Sequence, residues 1–125
     1  MKYPNMRDDL LNYLCSLSDR EYQINSWVNK IHPSGIEYDC LDSSIHFIFD
    51  DTDFGDAPEN SIGDIILNKE EADSIAKLVV SINYVFEKYV TNMTDDFYIG
   101  TPEWDDVLSS ASTAYKLINI NNGIY

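Results

Sequence analysis

The chain has two cysteines, two histidines, five glycines and four prolines, and only eight of its 125 residues are lysine or arginine. Each scarcity excludes something. Cys15 and Cys40 form no CxxC pair, and neither His32 nor His46 has another His or a Cys one helical turn away, so no local transition-metal motif exists. The five glycines are scattered and supply neither a P-loop nor a dinucleotide fingerprint. No stretch approaches the ~18 consecutive apolar residues of a membrane span. The opening MKYPNMRDDLL lacks the apolar h-region of a secretory signal. These absences lead to the expectation of a soluble, cytoplasmic protein, without membrane association or cofactor, whose two cysteines are free, buried thiols.

Against the eight basic residues stand 22 acidic ones, a formal charge of −14. Such a charge repels nucleic-acid phosphates and anionic membranes and accelerates encounter with a basic partner. Direct binding of DNA or RNA is therefore not expected. An apolar fraction of 44% and an aromatic fraction of 13% separate the chain from disordered acidic tails. Its length fits one domain, 1–125, able to bury a core without disulfides or metals.

Helical periodicity dominates. Leu10, Tyr13, Leu14 and Leu17 share one face of a helix over about 5–17. Ser18 and Glu21 have capping-box spacing, and Ile24, Trp27, Val28 and Ile31 form the face of a second helix, 19–31, ended by HPSG. Asn68 caps a long helix whose stripe runs through Ile75, Leu78, Val79, Ile82, Val85, Phe86 and Tyr89. In TPEW, Thr101 is the cap and Pro102 the first residue of a last helix, with Trp104, Val107, Leu108, Ala111, Tyr115 and Ile118 inward. Residues 119–125 are expected to fray.

The middle is ambiguous. LDSSIHFIFDD alternates like a strand at Ile45, Phe47 and Phe49, yet Leu41, Ile45, Ile48 and Phe49 also fit a helix starting at Asp42. The helix is preferred because no convincing partner strand exists nearby. SIGDIIL fits a short helix or an extended piece. The expected fold is mainly α, a single-domain helical bundle of four to six helices; the alternative is α+β, with a small sheet from 41–67.

The net charge is concentrated. Residues 1–35 are neutral, whereas 36–68 hold nine carboxylates, Glu37 and Asp64 among them, with no Lys or Arg. Asp51, Asp53 and Gly55 resemble a calcium loop, but counting from Asp51 puts Gly55, Asp56 and Ile62 where an EF-hand needs an oxygen ligand, Gly and Glu. Ser43, Ser44 and His46 lack a nucleophile elbow. No catalytic motif is present, and the chain reads as a binding protein, not an enzyme. Burying unpaired carboxylates is costly, so the cluster belongs on the surface, where its mutual repulsion is relieved by a basic partner. The candidate partner-binding residues are Asp39, Asp42, Phe49, Asp50, Asp51, Asp53, Phe54, Asp56 and Glu59, the two phenylalanines serving as apolar anchors. A merely solvated loop is the plain alternative. A carboxylate enzyme or metal-responsive regulator is another, and requires Asp39, Asp42, Asp50 and His46 to converge. A small regulatory module for some other protein is a third.

MRDDLLNYLCSLSDREYQINSW, HFIFDDTDF with PENSIGDIILNKEEA, and TPEWDDVLSSASTAYKL resemble, in that order, a family of small uncharacterised acidic bacterial proteins. The resemblance spans about 6–118. Some such families are similar to immunity proteins of contact-dependent growth inhibition and related polymorphic toxin systems. That similarity implies a cognate toxin, typically a basic nuclease domain, as the partner, bound and neutralised through the acidic surface.

Overall fold

The computed structural model describes residues 1–36, 38–90 and 92–124. Pro4 opens α1 (Pro4–Leu17) in the first helical turn, where its missing N–H costs nothing. Arg7, Leu10, Leu14 and Leu17 are buried along one face of that helix. Ser18 does not form the expected capping box. Its hydroxyl donates to the Cys15 carbonyl (2.8 Å), and Asp19 instead caps α2 (Arg20–Tyr22) by accepting the Tyr22 N–H (3.1 Å).

From Gln23 to Val28 the helix widens into a π-helical turn. An i→i+5 turn holds more residues than the usual 3.6, so a face read at the ordinary period comes out rotated. Gln23, Ser26 and Trp27 point inward, whereas Ile24 and Ile31, expected on the inner face, are exposed. The buried Gln23 is bonded at both ends of its amide: the nitrogen donates to the Ser16 carbonyl (2.8 Å) and the oxygen accepts the Trp104 indole N–H (2.9 Å).

The ambiguous middle is helical. α3 (Leu41–His46) runs directly into a second π-helical turn, Phe47–Asp51. Among the described residues there is no strand, and the α+β alternative falls. SIGDIIL begins at the last residue of a 3₁₀ turn, Pro58–Ser61, and is closed by an isolated bridge between Ile62 and Ile66.

α4 (Lys69–Tyr89) starts as expected, with the Asn68 side chain accepting the Glu71 N–H (3.0 Å). α5 (Asp95–Ile99) is short. Thr101 does not cap the last helix; its hydroxyl donates back to the Tyr98 carbonyl (2.8 Å), and α6 (Trp104–Ile124) begins two residues after Pro102. α4 and α6 pack along each other, with α1 against α6. Trp27 and Trp104 meet edge to face across the core (centroids 6.4 Å). Cys15 is exposed and Cys40 half-buried, so the expectation of two buried thiols fails; neither cysteine is in a disulfide.

One polar network crosses this apolar core. The Arg7 guanidinium pairs with both Glu71 oxygens (2.8 and 2.9 Å) and also donates to the Ile65 carbonyl (3.1 Å) and to Asn122 Oδ1 (2.7 Å). Glu71 accepts further bonds from the Leu67 N–H (2.8 Å) and the Asn121 amide (2.7 Å). The network ties α1, the 61–67 turns, α4 and α6 together. α6 continues to Ile124, and Tyr125 lies outside the described residues.

Both ionic side chains are almost fully buried. Removing one partner strands the other charge, a cost of about 3–5 kcal/mol, whereas replacing both by apolar residues is far milder. Arg7→Ala is therefore expected to lower unfolding free energy by that amount in urea titration, and Arg7→Met with Glu71→Leu to lose less. Burial by itself raises the Glu71 pKa, but the bonds from Arg7, Asn121 and Leu67 overcome it and hold the carboxyl below its ordinary 4.5. A depressed carboxylate contributes stability above its unfolded pKa and loses it as pH falls through the folded one. Thermal stability should accordingly drop on acidification below about pH 4.5, and the drop should be smaller in the apolar double variant.

Candidate partner-binding surface

The densest acidic segment is shaped by the bonds that close the second π-helical turn. The Thr52 hydroxyl lies 3.0 Å from both the Phe47 and Ile48 carbonyls, the Phe54 N–H donates to Thr52 Oγ1 (3.3 Å), and the Gly55 N–H reaches the Ile48 carbonyl (3.1 Å). These bonds satisfy the helix end and turn the chain sharply back. Phe54 is driven fully into the core against Phe47, while its acidic neighbours stay outside. A side chain at Gly55 would collide with the Phe49 ring, its Cβ lying 2.5 Å from Cδ1. Glycine there lets Phe49 fold over the backbone, half-buried.

Asp50, Asp51 and Asp53 line a concavity of about 340 Å³ together with Asp64, Asn60 and Ser61. Met6 and Ile65 contribute its apolar part and Tyr3 its edge. The N-terminal segment is pinned beside it, the Lys2 and Tyr3 N–H groups donating to the Gly63 and Asp64 carbonyls (3.0 and 2.8 Å). Among the described residues, no Lys or Arg lines the concavity. Among the described residues, the cationic side chain against these carboxylates is His46, when protonated, with Nδ1 2.7 Å from Asp50 and Nε2 3.5 Å from Asp51.

The nine residues proposed from sequence do not form one surface. Asp50, Asp51 and Asp53 come together, and Phe49 is half-buried on the same π-helical turn. Asp56 and Glu59 are exposed but do not line the concavity. Asp42 lines separate hollows with Asp95. Phe54 is core, which corrects its assignment as an apolar anchor. Asp39 is also buried, accepting the Tyr22 hydroxyl (2.5 Å), the Trp27 indole N–H (3.0 Å) and the Cys40 N–H (2.9 Å). It is an internal acceptor that ties the chain at Asp39 and Cys40 to Tyr22 of α2 and to Trp27 of the π-helical turn. Burial, and then the bond to Asp39, push the Tyr22 phenol above its ordinary 10.0. Glu37 lies outside the described residues.

Sequence reasoning missed Asn60, Ser61 and Tyr3 and did not single out Asp64. Only Asp64 carried a signal, as a member of the acidic stretch; the others are brought in by the turns that close at Ile62 and Ile66. The convergence of Asp39, Asp42, Asp50 and His46 required by the enzyme or metal alternative does not occur, because Asp39 is consumed internally. Among the described residues, no three of His, Cys, Asp and Glu are placed to hold a metal ion.

Residues 1–124 match a family model described as Domain of unknown function (DUF7945). The chain belongs to the DUF7945 family. No curated protein and no solved structure matches it, so what this DUF7945 chain does must be read from its own surface.

If Asp39 is an internal acceptor, its loss is a folding defect. Asp39→Ala leaves the Trp27 and Tyr22 donors unsatisfied and is expected to cost about 2–3 kcal/mol in urea unfolding. Glu59→Gln, on the exposed turn, should change stability by less than about 0.5 kcal/mol.

Proposed function

We propose that this DUF7945 protein is an immunity protein: it binds a basic toxin domain, with nuclease activity, and neutralises it by covering a positively charged site. The observation that supports this most directly is the concavity in which Asp50, Asp51, Asp53 and Asp64 meet, among the described residues, without a lining Lys or Arg. Carboxylates held this close repel one another, and a folded protein relieves that repulsion when a cationic surface docks. The apolar Met6 and Ile65 in the same lining supply the dry contact that charge alone cannot.

The overall charge of −14 acts at longer range. It steers a basic partner toward the protein and rejects acidic ones, which raises the association rate more than the final affinity. Nucleic acid would be repelled by the same field, so inhibition works through the toxin and not through competition for its substrate's binding site on this protein. The similarity to immunity proteins of contact-dependent growth inhibition gives the partner its biological form, and action inside the producing cell is implied by that similarity.

The test uses the basic protein that co-purifies with the chain from its native cell. Wild type is expected to associate rapidly at low salt, with a rate that falls steeply as ionic strength rises. Asp50→Asn/Asp51→Asn/Asp53→Asn should slow association by at least about tenfold at low salt and flatten its salt dependence. It should also weaken protection of cells that express the partner. Stopped-flow kinetics identical to wild type would remove these carboxylates from the interface.

A further inference from the structure

We infer that a second face, separate from the acidic concavity, docks a peptide segment of another protein in which apolar side chains are interleaved with lysines or arginines. Three hollows of about 550, 450 and 240 Å³ lie in sequence across the ends of α2, α5 and α3. The first two share Val28 and Asp96, and the last two share Asp42 and Asp95, so they adjoin along one face, which we treat as a trench.

Its apolar content comes from residues that the fold leaves outside. The π-helical turn of Gln23–Val28 rotates Ile24 outward, 42% exposed, beside Val28, Ile99 and Pro102. At the far end Met93, 41% exposed, stands with Ile45 and Phe86. Single exposed apolar residues are ordinary, but a run of adjoining hollows with such residues at both ends is the form of a binding groove.

Charge selects the occupant. Four carboxylates line the trench against two cations, and both cations are already engaged. Arg20 pairs with Asp105 (2.8 Å), and Lys30 lies 5.4 Å from the Tyr38 ring centroid. Asp95 accepts the Leu41 N–H (3.1 Å) at the start of α3. Asp42 and Asp96 are exposed and lie where the hollows adjoin. An all-apolar occupant would desolvate these carboxylates without replacing their water, and an acidic one would be repelled. A segment placing cations at Asp42 and Asp96 and apolar groups at either end meets both requirements. This inference rests on other residues than the acidic concavity and stands or falls separately.

The test is fluorescence anisotropy with three labelled peptides of equal length, one alternating Leu and Lys, one Ser and Lys, and one Leu and Glu. The Leu/Lys peptide is expected to bind at least about tenfold more tightly than Ser/Lys at equal charge, and Leu/Glu not to bind. Ile24→Ser/Met93→Ser and, independently, Asp96→Lys should each weaken Leu/Lys binding by about tenfold. Glu87→Lys, the same charge change at an exposed position outside the trench, should change it by less than about twofold. All substituted positions are exposed, and thermal melts check that each variant folds. Equal affinity for Leu/Lys and Ser/Lys would reduce the effect to bulk charge and overturn the inference. Loss of binding in Asp50→Asn/Asp51→Asn/Asp53→Asn with retention in Asp96→Lys would place the peptide in the concavity and overturn it too. A dimer in sedimentation that Ile24→Ser/Met93→Ser dissociates would make the trench a self-association face, also against it.

Discussion

The buried pair between Arg7 and Glu71 is the constraint on which the arrangement of the chain depends. Arg7 lies on the same helical face as Leu10, Leu14 and Leu17, so burying that face takes a guanidinium into the core. A buried charge is tolerated only when its hydrogen-bonding capacity is met. Arg7 has Glu71, a backbone carbonyl and Asn122; Glu71 has a backbone N–H and Asn121. Those partners come from distant parts of the sequence, and the helices have little freedom to slide without stranding one of them. The turns around 61–67 are held by the same bonds, which fixes Ile65 and Asp64 at the edge of the acidic concavity. The core network and the candidate surface are thus mechanically continuous.

The two π-helical turns have opposite consequences for binding. Phe47–Asp51 ends where Thr52 ties down the helix carbonyls, which sends Phe54 inward and leaves Asp50, Asp51 and Asp53 around a hollow. Gln23–Val28 turns polar Gln23 and Ser26 inward, where side-chain bonds satisfy them, and turns Ile24 outward into the trench. A wide helical turn costs hydrogen-bond quality and is retained where packing elsewhere compensates. Here the compensation is visible in Trp27 and Trp104, which are both buried, in edge contact, and bonded to Asp39 and Gln23. Each turn lies beside one of the two candidate surfaces.

Charge acts on two length scales. Over distances up to a Debye length of about 8–10 Å, the excess of carboxylates produces a field that favours any cationic partner. At contact, local arrangement decides which partner is accepted, because only groups in a shared hollow are desolvated together. This separates Asp50, Asp51, Asp53 and Asp64 from Asp56 and Glu59, which belong to the same acidic stretch but contribute only to the general field. It likewise separates Asp39, whose charge is spent on internal donors.

Much of the fold was legible in the sequence. The faces of α1, α4 and α6 and the Asn68 cap come from period and local propensity, which are properties of neighbouring residues, whereas over 41–51 the period fits strand and helix alike and only the lack of a partner strand favoured the helix that forms. The location of the acidic excess was legible too, since formal charge does not depend on folding. The inward face of 23–28 was legible only in part: Trp27 and Val28 pack inward as the period requires, whereas Ile24 turns out and Gln23 and Ser26 turn in, because a π-helical turn breaks that period. Phe54 among aspartates looks like an exposed anchor until the Thr52 turn points it into the core. The bonds of Asn121 to Glu71 and of Asn122 to Arg7 cross the molecule and leave no trace in the local sequence pattern. The sequence by itself determined a mainly helical acidic protein with its charge gathered in the middle, and left 41–67 open between helix and sheet. Only tertiary structure decided which carboxylates meet, which are buried and which apolar residues remain outside, because each depends on contacts between residues far apart in the chain.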